Sequence, residues 1–531
     1  MAVAILWQKV HNRKKKPYFC PPCQPIQLTQ ALIRVRFAPS PTGALHIGGV
    51  RTALYNYLLA RQQGGQFILR IEDTDQGRYV PGAEQYIIDS LKWVGLIPDE
   101  GPGFGGAYGP YRQSDRKAIY HQYAHELVSR GHAYYAFDTP EALDAHRAAQ
   151  ENFTYNHSTR DSLRNSLTLS PTECKGLLDA GEPFVIRLKV MPNREVRVQD
   201  LIRGEVVFQS SELDDKVLLK TDGMPTYHLA NIVDDHLMQI TNVIRGEEWL
   251  PSTAHHVLLY EGFGWTDTMP RFAHLPLIMK PEGNGKLSKR DGAKFGFPVF
   301  PLEWQGSSPE DRFSGFRDTG FLPEAVLNFM ALLGWHPGGD QEIFSLSEMV
   351  EAFSIEHISK GGARFDYEKA KWFNQQYIKA MDNAVLAEKI RPLVTAKGYD
   401  PSPEYLQLVV ALMKERVTFL PDFVEQGYYL FEPVRVYDTE TIQKKWTPAL
   451  KPVFEELMSI FEKSATFEGH ALETSVKQYM TEKGVKPGDI LPLLRIALAG
   501  TMKGPAVFDM AAALGKDETL QRLQKFVAIA G

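Results

Sequence analysis

The spacing of apolar residues changes several times along the chain, and each change marks an element or a boundary. Order begins at Ile33, where Ile33-Arg-Val-Arg-Phe-Ala38 reads as a short buried strand, followed by a Pro/Gly turn from Pro39 to Gly43. From about Leu45 to Gln62, Val50, Leu54, Tyr57 and Leu58 fall on one face of a helix, which Gly64-Gly65 stops. Phe67-Ile-Leu-Arg-Ile71 is a second strand. Strand, helix and strand in such close succession predict a right-handed parallel crossover, the opening of a doubly wound sheet. Helical spacing continues from Pro81 to Leu96, with Pro81 near the first turn. Ser114 or Asp115 is expected to cap a helix ending at Gly131, and Ala133 to Phe137 is expected as a further strand.

From about residue 140 to 215 this rhythm is lost, which predicts an inserted domain. The sheet is expected to resume with Val217-Leu-Leu-Lys220, a turn at Asp222-Gly223 and Pro225 to Ala230; Ile240 to Arg245 is one more strand, and Trp249 to Tyr260 begins a helix. After about residue 379 strand patterns nearly vanish. Faces such as Leu386/Ile390/Leu393/Val394 and Leu406/Val409/Val410/Met413 predict helices to the C-terminus. The fold class is therefore α/β: a Rossmann-like parallel sheet with an insertion, followed by an all-α C-terminal region.

Composition narrows the picture. At 531 residues the chain is too long for one core, so about three to five packed units are expected. The absence of any run of about 18 apolar residues argues against a bilayer span. A net charge of -5 argues against coating nucleic acid by bulk charge, though not against one basic face. Residues 379 to 531 carry 19 Lys/Arg against 20 Asp/Glu, so any polyanion contact there needs charge segregated onto one face. The cysteines, Cys20, Cys23 and Cys174, do not make a disulfide framework and point to a reducing compartment. Cys20-Pro-Pro-Cys23 has the spacing of half a zinc site but no second pair nearby, and reads as incidental. Residues 1–31, with a basic cluster from Arg13 to Lys16, fit neither a signal nor a transit peptide and read as a flexible extension.

Two constellations carry candidate chemistry. Pro39-Ser-Pro-Thr-Gly-Ala-Leu-His46-Ile-Gly48-Gly49 lies between a strand and a helix, where open α/β sheets present loop amides to ligands. Gly48 and Gly49 permit close approach to the backbone, and His46 can donate to a phosphate oxygen; a tight turn with a surface histidine is the plainer alternative. Lys286-Leu-Ser-Lys289-Arg290, among Gly283, Gly285 and Gly292, suits a clamp on polyphosphate or, more plainly, a solvated basic loop.

Together, in this order and on this fold, the two motifs resemble the HIGH and KMSKS signatures of class I aminoacyl-tRNA synthetases. Here they read His46-Ile-Gly-Gly49 and Lys286-Leu-Ser-Lys-Arg290, departures that the glutamyl branch tolerates. Arg36-Phe-Ala-Pro-Ser-Pro-Thr-Gly43, Arg70-Ile-Glu-Asp-Thr-Asp75, Tyr227-His-Leu-Ala-Asn231, Val233-Asp-Asp-His236 and Arg245-Gly-Glu-Glu-Trp249 sharpen the resemblance to bacterial-type glutamyl-tRNA synthetases, from about residue 33 to the C-terminus.

Glutamate carries two carboxylates and one ammonium, so its site should offer two cations and one anion, because an unpaired buried charge is costly. Arg36, Arg245 and Glu72 supply that set, with structural ion pairing across the sheet as the alternative. The resemblance implies that Arg36 with Tyr227 holds the side-chain carboxylate, Arg245 the α-carboxylate and Glu72 the α-ammonium. Ala38, Ser40, Asn231 and Trp249 complete the amino-acid site. It further implies that Ser40, His46, Gly48, Gly49, Glu248, Lys286, Ser288 and Lys289 bind ATP, with His46, Gly48, Lys286 and Lys289 acting in catalysis. Magnesium would travel with ATP. A zinc site carried by some family members is not expected, since the insertion holds only Cys174.

The implied domains are a catalytic domain in two halves, 32–137 and 227–263, and an acceptor-binding insertion at 138–226. A stem-contact domain at 264–378 carries the Lys286–Arg290 loop, and an α-helical anticodon-binding region spans 379–531. Arg416, placed on the helix from Pro403, is the candidate anticodon contact, with a solvated arginine as the alternative. The partners implied are tRNA-Glu, L-glutamate and ATP, in a cytoplasmic and usually monomeric enzyme with no membrane. Among rivals, a glutaminyl enzyme would end in β-barrels, and a glutamyl-queuosine-type enzyme or a small-molecule nucleotidyltransferase would need no helical tail. A non-catalytic tRNA-binding protein would tolerate loss of His46, Lys289 or Arg36, all of which are present.

Overall fold

Five short parallel strands form the frame on which everything else is hung. The computed structural model describes residues 32–306 and 312–531; the extension at 1–31, with Cys20 and Cys23, lies outside the described residues. The strands are β1 (Arg34–Phe37), β2 (Gln66–Leu69), β3 (Ala133–Ala136), β4 (Val185–Leu188), β5 (Glu195–Asp200), β6 (Gly204–Gln209), β7 (Val217–Leu219), β8 (Asn242–Gly246) and β9 (Arg271–Leu275). The central sheet has the order β2-β1-β8-β9-β5-β6, parallel except for the hairpin partner β6. Helices α1 (Ile47–Gln62), α2 (Ala83–Trp93), α3 (Lys117–Ser129), α4 (Pro140–Ala149), α5 (Pro171–Asp179), α6 (Tyr227–Leu237), α7 (Ser252–Phe263) and α8 (Lys289–Phe295) follow in chain order.

Alternation along the strands feeds two cores. Val35, Phe37, Phe67, Leu69 and Ile244 pack with α1, whereas Ile68, Val243 and Phe272 pack with residues of α3, α6 and α7. β2 and β8, covered on both faces, carry apolar residues at both parities, whereas β5 alternates buried and exposed positions. The β1–α1–β2 crossover is closed by Gly65, where a side chain would overlap the Ile33 carbonyl. Ile33–Gly531 form one compact unit. Beyond Tyr367 the described elements are all helical, with Leu386, Ile390 and Val394 buried on one helix and Leu406, Val409, Val410 and Met413 on the next. No described helix is long and apolar enough to cross a membrane.

Several local expectations are corrected. β3 and β7 do not join the parallel sheet; they flank β4 in a separate antiparallel sheet. The central sheet instead draws β5 and β6 from within the stretch whose rhythm was lost. Pro225–Ala230 is not a strand, because α6 starts at Tyr227. Short stretches such as 217–220 and 225–230 have no periodicity long enough to name their partner or type. Ser114 does not cap α3: its amide and hydroxyl both donate to the Asp73 carboxylate, and a short 3-10 turn precedes the helix. Arg416 sits in the turn after its helix, which ends at Met413, and its Nε donates to the Gly504 carbonyl at 2.9 Å.

A buried charge pair ties the α3 segment to α6. Asp234 accepts from Arg116 Nε at 2.7 Å, Tyr120 Oη at 2.8 Å and Gln113 Nε2 at 3.0 Å, with the Arg116 and Asp234 side chains almost wholly buried. Asp234→Ala strands the Arg116 guanidinium, and its expected effect is a loss of about 3–5 kcal/mol in stability. This is read as an earlier urea transition followed by tryptophan fluorescence; an unmoved midpoint would show that the pair holds nothing together.

Candidate functional site

The carboxyl ends of the parallel strands place a row of polar side chains on the α6–α7 face. Because side chains alternate, the residues that share a face with Ile68, Val243, Phe272, Val196 and Val198 include Arg70, Arg245, His274 and Asp200, and Arg36 lies on the same side of β1, opposite to Val35 and Phe37. Five adjacent strands thus end in Arg70, Arg36, Arg245, His274 and Asp200. Ligands of open α/β sheets bind in the crevice beyond such strand ends.

The two arginines expected to recognise carboxylates stand in different states. Arg36 is 3% exposed and is neutralised from α6: Asp235 Oδ1 accepts from its Nε at 3.1 Å and Oδ2 from Nη2 at 3.4 Å. Asp235 Oδ1 also accepts from Arg70 Nη1 at 2.7 Å. Burial pushes the Asp235 carboxyl up, but Arg36 and Arg70 together hold it below the ordinary range. Arg70 Nη2 in turn donates to Glu72 Oε1 at 3.1 Å, which also accepts from Asn231 Nδ2 at 3.0 Å. Burial outweighs those cations for Glu72 and raises its carboxyl above the usual value.

Arg245, 5% exposed, has no carboxylate partner among the described residues. Its guanidinium donates to neutral acceptors: His274 Nε2 at 3.0 Å, Tyr227 Oη at 2.7 Å, Thr253 Oγ1 at 2.8 Å and the Trp249 carbonyl at 3.3 Å. Burial lowers its proton affinity and the positive Arg36 nearby lowers it further, so the site disfavours this charge until an anion arrives. The Trp249 ring, 41% exposed, lies 4.5 Å from that of Tyr227 and walls the opening.

Beside this row sits a histidine with a fixed proton. His46 is the N-cap of α1, and its Nδ1 accepts from the Gly48 amide at 3.1 Å. Burial, reinforced by Lys286 and Lys289, lowers its pKa from 6.5 to about 4. At neutral pH the ring is therefore uncharged with its proton on Nε2, and that buried nitrogen has no partner among the described residues. From the far side, α8 begins at Lys289 behind a capping box in which Ser288 Oγ donates to Asp291 Oδ2 at 2.6 Å. The Lys289 ammonium lies 3.4 Å from the point where a side chain on Gly43 would begin, so the basic loop reaches the Pro39–Gly43 turn. Burial lowers the Lys289 pKa, and Lys289 makes no ion pair among the described residues. Lys286 Nζ is held by Glu248 Oε1 at 2.5 Å.

The candidate residues other than Arg416 line one cleft of ≈ 570 Å³. Arg36, Ala38, Ser40, Glu72, Tyr227, Asn231, Arg245 and Trp249 line it together with His46, Gly48, Gly49, Glu248, Lys286, Ser288 and Lys289. Arg416 alone among the candidate residues is elsewhere, in the helical region. Residues not singled out from sequence but central here are Asp235, Arg70, His274, Asp200 and Thr253. Arg70 and Asp235 lay inside quoted motifs without a role, whereas nothing local marks Asp200 or His274.

The His46 arrangement predicts a specific acid response. Its folded-state pKa lies below its ordinary value, so between pH 6.5 and about 4 the unfolded chain binds a proton that the native chain does not. Stability is lost as pH falls through that window and levels off below it. In His46→Gln the fall between pH 7 and 4 is expected to be shallower by thermal denaturation; parallel curves would mean that His46 is not buried neutral.

Known proteins of matching sequence and shape support the same region. Residues 32–372 match the family described as class I tRNA synthetases (E and Q), catalytic domain, and residues 385–527 match an anticodon binding domain. A glutamate–tRNA ligase of Porphyromonas gingivalis is 54% identical over 500 residues, covering 94% of this chain and 99% of that protein. One of Bacteroides thetaiotaomicron is 54% identical over 503 residues, covering 94% of this chain and 100% of that protein. The crystal structure of a glutamate tRNA ligase from Elizabethkingia meningosepticum, in complex with its amino acid, superposes with a TM-score of 0.91 at 48% identity, over 94% of this chain and 100% of the other.

Proposed function

The chain belongs to the class I tRNA synthetases of the glutamate and glutamine branch and is an ATP-dependent glutamate–tRNA ligase, and from that premise we propose how its residues divide the work. One observation carries the reading: two buried arginines on adjacent strands, of which Arg245 has no counter-ion among the described residues, beside a histidine and a basic loop that face the same cleft. The innermost charges are Arg36, Arg70 and Arg245 against Asp235 and Glu72, a surplus of one positive charge. Zwitterionic glutamate brings two carboxylates and one ammonium, and neutralises it.

Arg36 and Tyr227 take the side-chain carboxylate, and Arg245 takes the α-carboxylate. Because the Tyr227 hydroxyl already accepts from Arg245, its own proton is free to be donated to the substrate. Glu72, its carboxyl raised by burial, accepts from the α-ammonium, and Asn231 orients it. Glutamine would set an amide NH2 against these donors, and a buried donor without an acceptor is a strong basis for rejection.

ATP occupies the other end. The α-carboxylate oxygen attacks the α-phosphorus in line, the bond to the bridging oxygen breaks and pyrophosphate leaves; the glutamyl group then passes from the adenylate to a terminal ribose hydroxyl of tRNA-Glu. The His46 Nε2–H stabilises charge growing on the phosphate oxygens, and Gly48 and Gly49 let the nucleotide lie close to the backbone, with Ala38 and Ser40 along the same wall. Lys289 and Lys286, with Ser288 at the start of α8, clamp the polyphosphate. Glu248 holds Lys286 at the cleft, within reach of the phosphates. Magnesium, bound to the ATP oxygens, adds charge neutralisation. Positioning and charge stabilisation account for the rate without a side chain acting as general base.

The segment 138–226 contacts the acceptor stem, 264–378 the adjoining stem, and the helices of 379–531 the anticodon, with Arg416 beside it. The enzyme acts as a cytoplasmic monomer. Pyrophosphate exchange in the presence of tRNA-Glu is expected to depend on glutamate and not on glutamine. Arg245→Gln is expected to lower kcat/KM for glutamate by roughly 30-fold or more while the KM for ATP holds, the scale of losing one partner of a buried charge pair. Equal exchange with glutamine, or an Arg245→Gln enzyme with wild-type glutamate kinetics, would overturn the assignment.

A further inference from the structure

Behind Arg245 lies a buried relay that the reaction itself does not touch. His274, on β9, accepts from Arg245 Nε through its own Nε2 at 3.0 Å, and its Nδ1 lies 2.6 Å from Asp200 Oδ2 at the end of β5. Both the His274 and Asp200 side chains are fully buried. Asp200 is itself locked in orientation: its Oδ1 accepts from the amides of Ile202 at 2.9 Å and Arg203 at 2.8 Å. Thr253 Oγ1, which accepts from Arg245 Nη2, lies 3.3 Å from His274 Nε2.

Resting on the reading that Arg245 holds a carboxylate of glutamate, we propose that Asp200 and His274 are positioning residues that fix the orientation of that guanidinium. The argument runs through one proton. Arg245 Nε can only donate, so His274 Nε2 must be bare, and the imidazole proton must sit on Nδ1, facing an Asp200 oxygen that can only accept. Burial lowers the His274 pKa, which keeps the ring in that single neutral form. A guanidinium anchored at Nε cannot rotate in its plane, so its Nη edge stays directed at Tyr227 and the cleft. The relay also gives a reason for β5 to leave the stretch around it and join the central sheet: it carries the carboxylate at the base of the amino-acid site.

Asp200→Asn separates this role from simple packing. The two backbone amides keep the Asn carbonyl at the Oδ1 position, so its NH2 must replace Oδ2 and point at His274 Nδ1. The imidazole proton is then forced to Nε2, against the Arg245 Nε–H. The expected result is a rise in glutamate KM of about 10- to 100-fold, the scale of a buried donor left facing a donor, with ATP KM unchanged. Nitrogen-15 NMR of the labelled histidines should show the His274 proton moving from Nδ1 to Nε2. Should Asp200→Asn fold poorly, His274→Gln and His274→Ala replace it. Gln can offer a carbonyl to Arg245 and an NH2 to Asp200 and should recover most of the glutamate affinity that Ala loses. Arg245→Gln is run in parallel. If it raises glutamate KM while Asp200→Asn, or His274→Ala in its place, does not, the relay is refuted and the role of Arg245 stands; if Arg245→Gln is itself silent, the underlying reading fails first.

Discussion

Two guanidinium groups held side by side at the edge of a parallel sheet repel one another, and the surrounding architecture manages that repulsion. Arg36 is met by Asp235 from α6, which also bridges to Arg70. Arg245 is met only by neutral acceptors. Among the described residues Arg245 thus lacks the counter-charge that Arg36 has. A desolvated charge of this kind is costly until a partner of opposite charge completes it, and in the proposed function the substrate is that partner.

The same logic assigns the carboxylates of α6. Asp234 and Asp235 are adjacent in sequence yet serve different neighbours: Asp234 pins Arg116 and Tyr120, while Asp235 joins Arg36 and Arg70. The helix therefore acts as a strut between the α3 segment and the strand ends. The position of Arg36 is set by how α6 lies across the sheet.

At the nucleotide end the arrangement is of another kind. His46 is kept neutral by burial and by nearby ammonium groups, and its proton is placed on Nε2 by the Gly48 amide. The Lys286–Lys289 loop comes from a later segment and closes the cleft from the opposite wall. A donor with a fixed proton on one side and cations on the other suit charge that develops during phosphoryl chemistry, because neither needs to reorganise as the reaction proceeds.

The sequence by itself determined the crossover from Ile33 to Ile71, the helical C-terminal region and the residues of the cleft. Those features are written in local periodicity and in motifs whose members lie within a few positions of each other. Arg36, Arg245 and Glu72 read from the sequence as a charge set that would suit glutamate, and Tyr227 joins them by family resemblance. Only the tertiary structure decided which strands share a sheet, placing β5 and β6 in the central one and β3 and β7 outside it, because pairing is a choice of partner that short strands do not encode. It alone decided that Tyr227 bonds Arg245, that Asp235 pairs with Arg36, and that Asp200 stands behind His274 across 74 residues of chain. Such contacts depend on the direction of a side chain and on the proton it carries, and the chain acquires both only when distant strands are laid side by side.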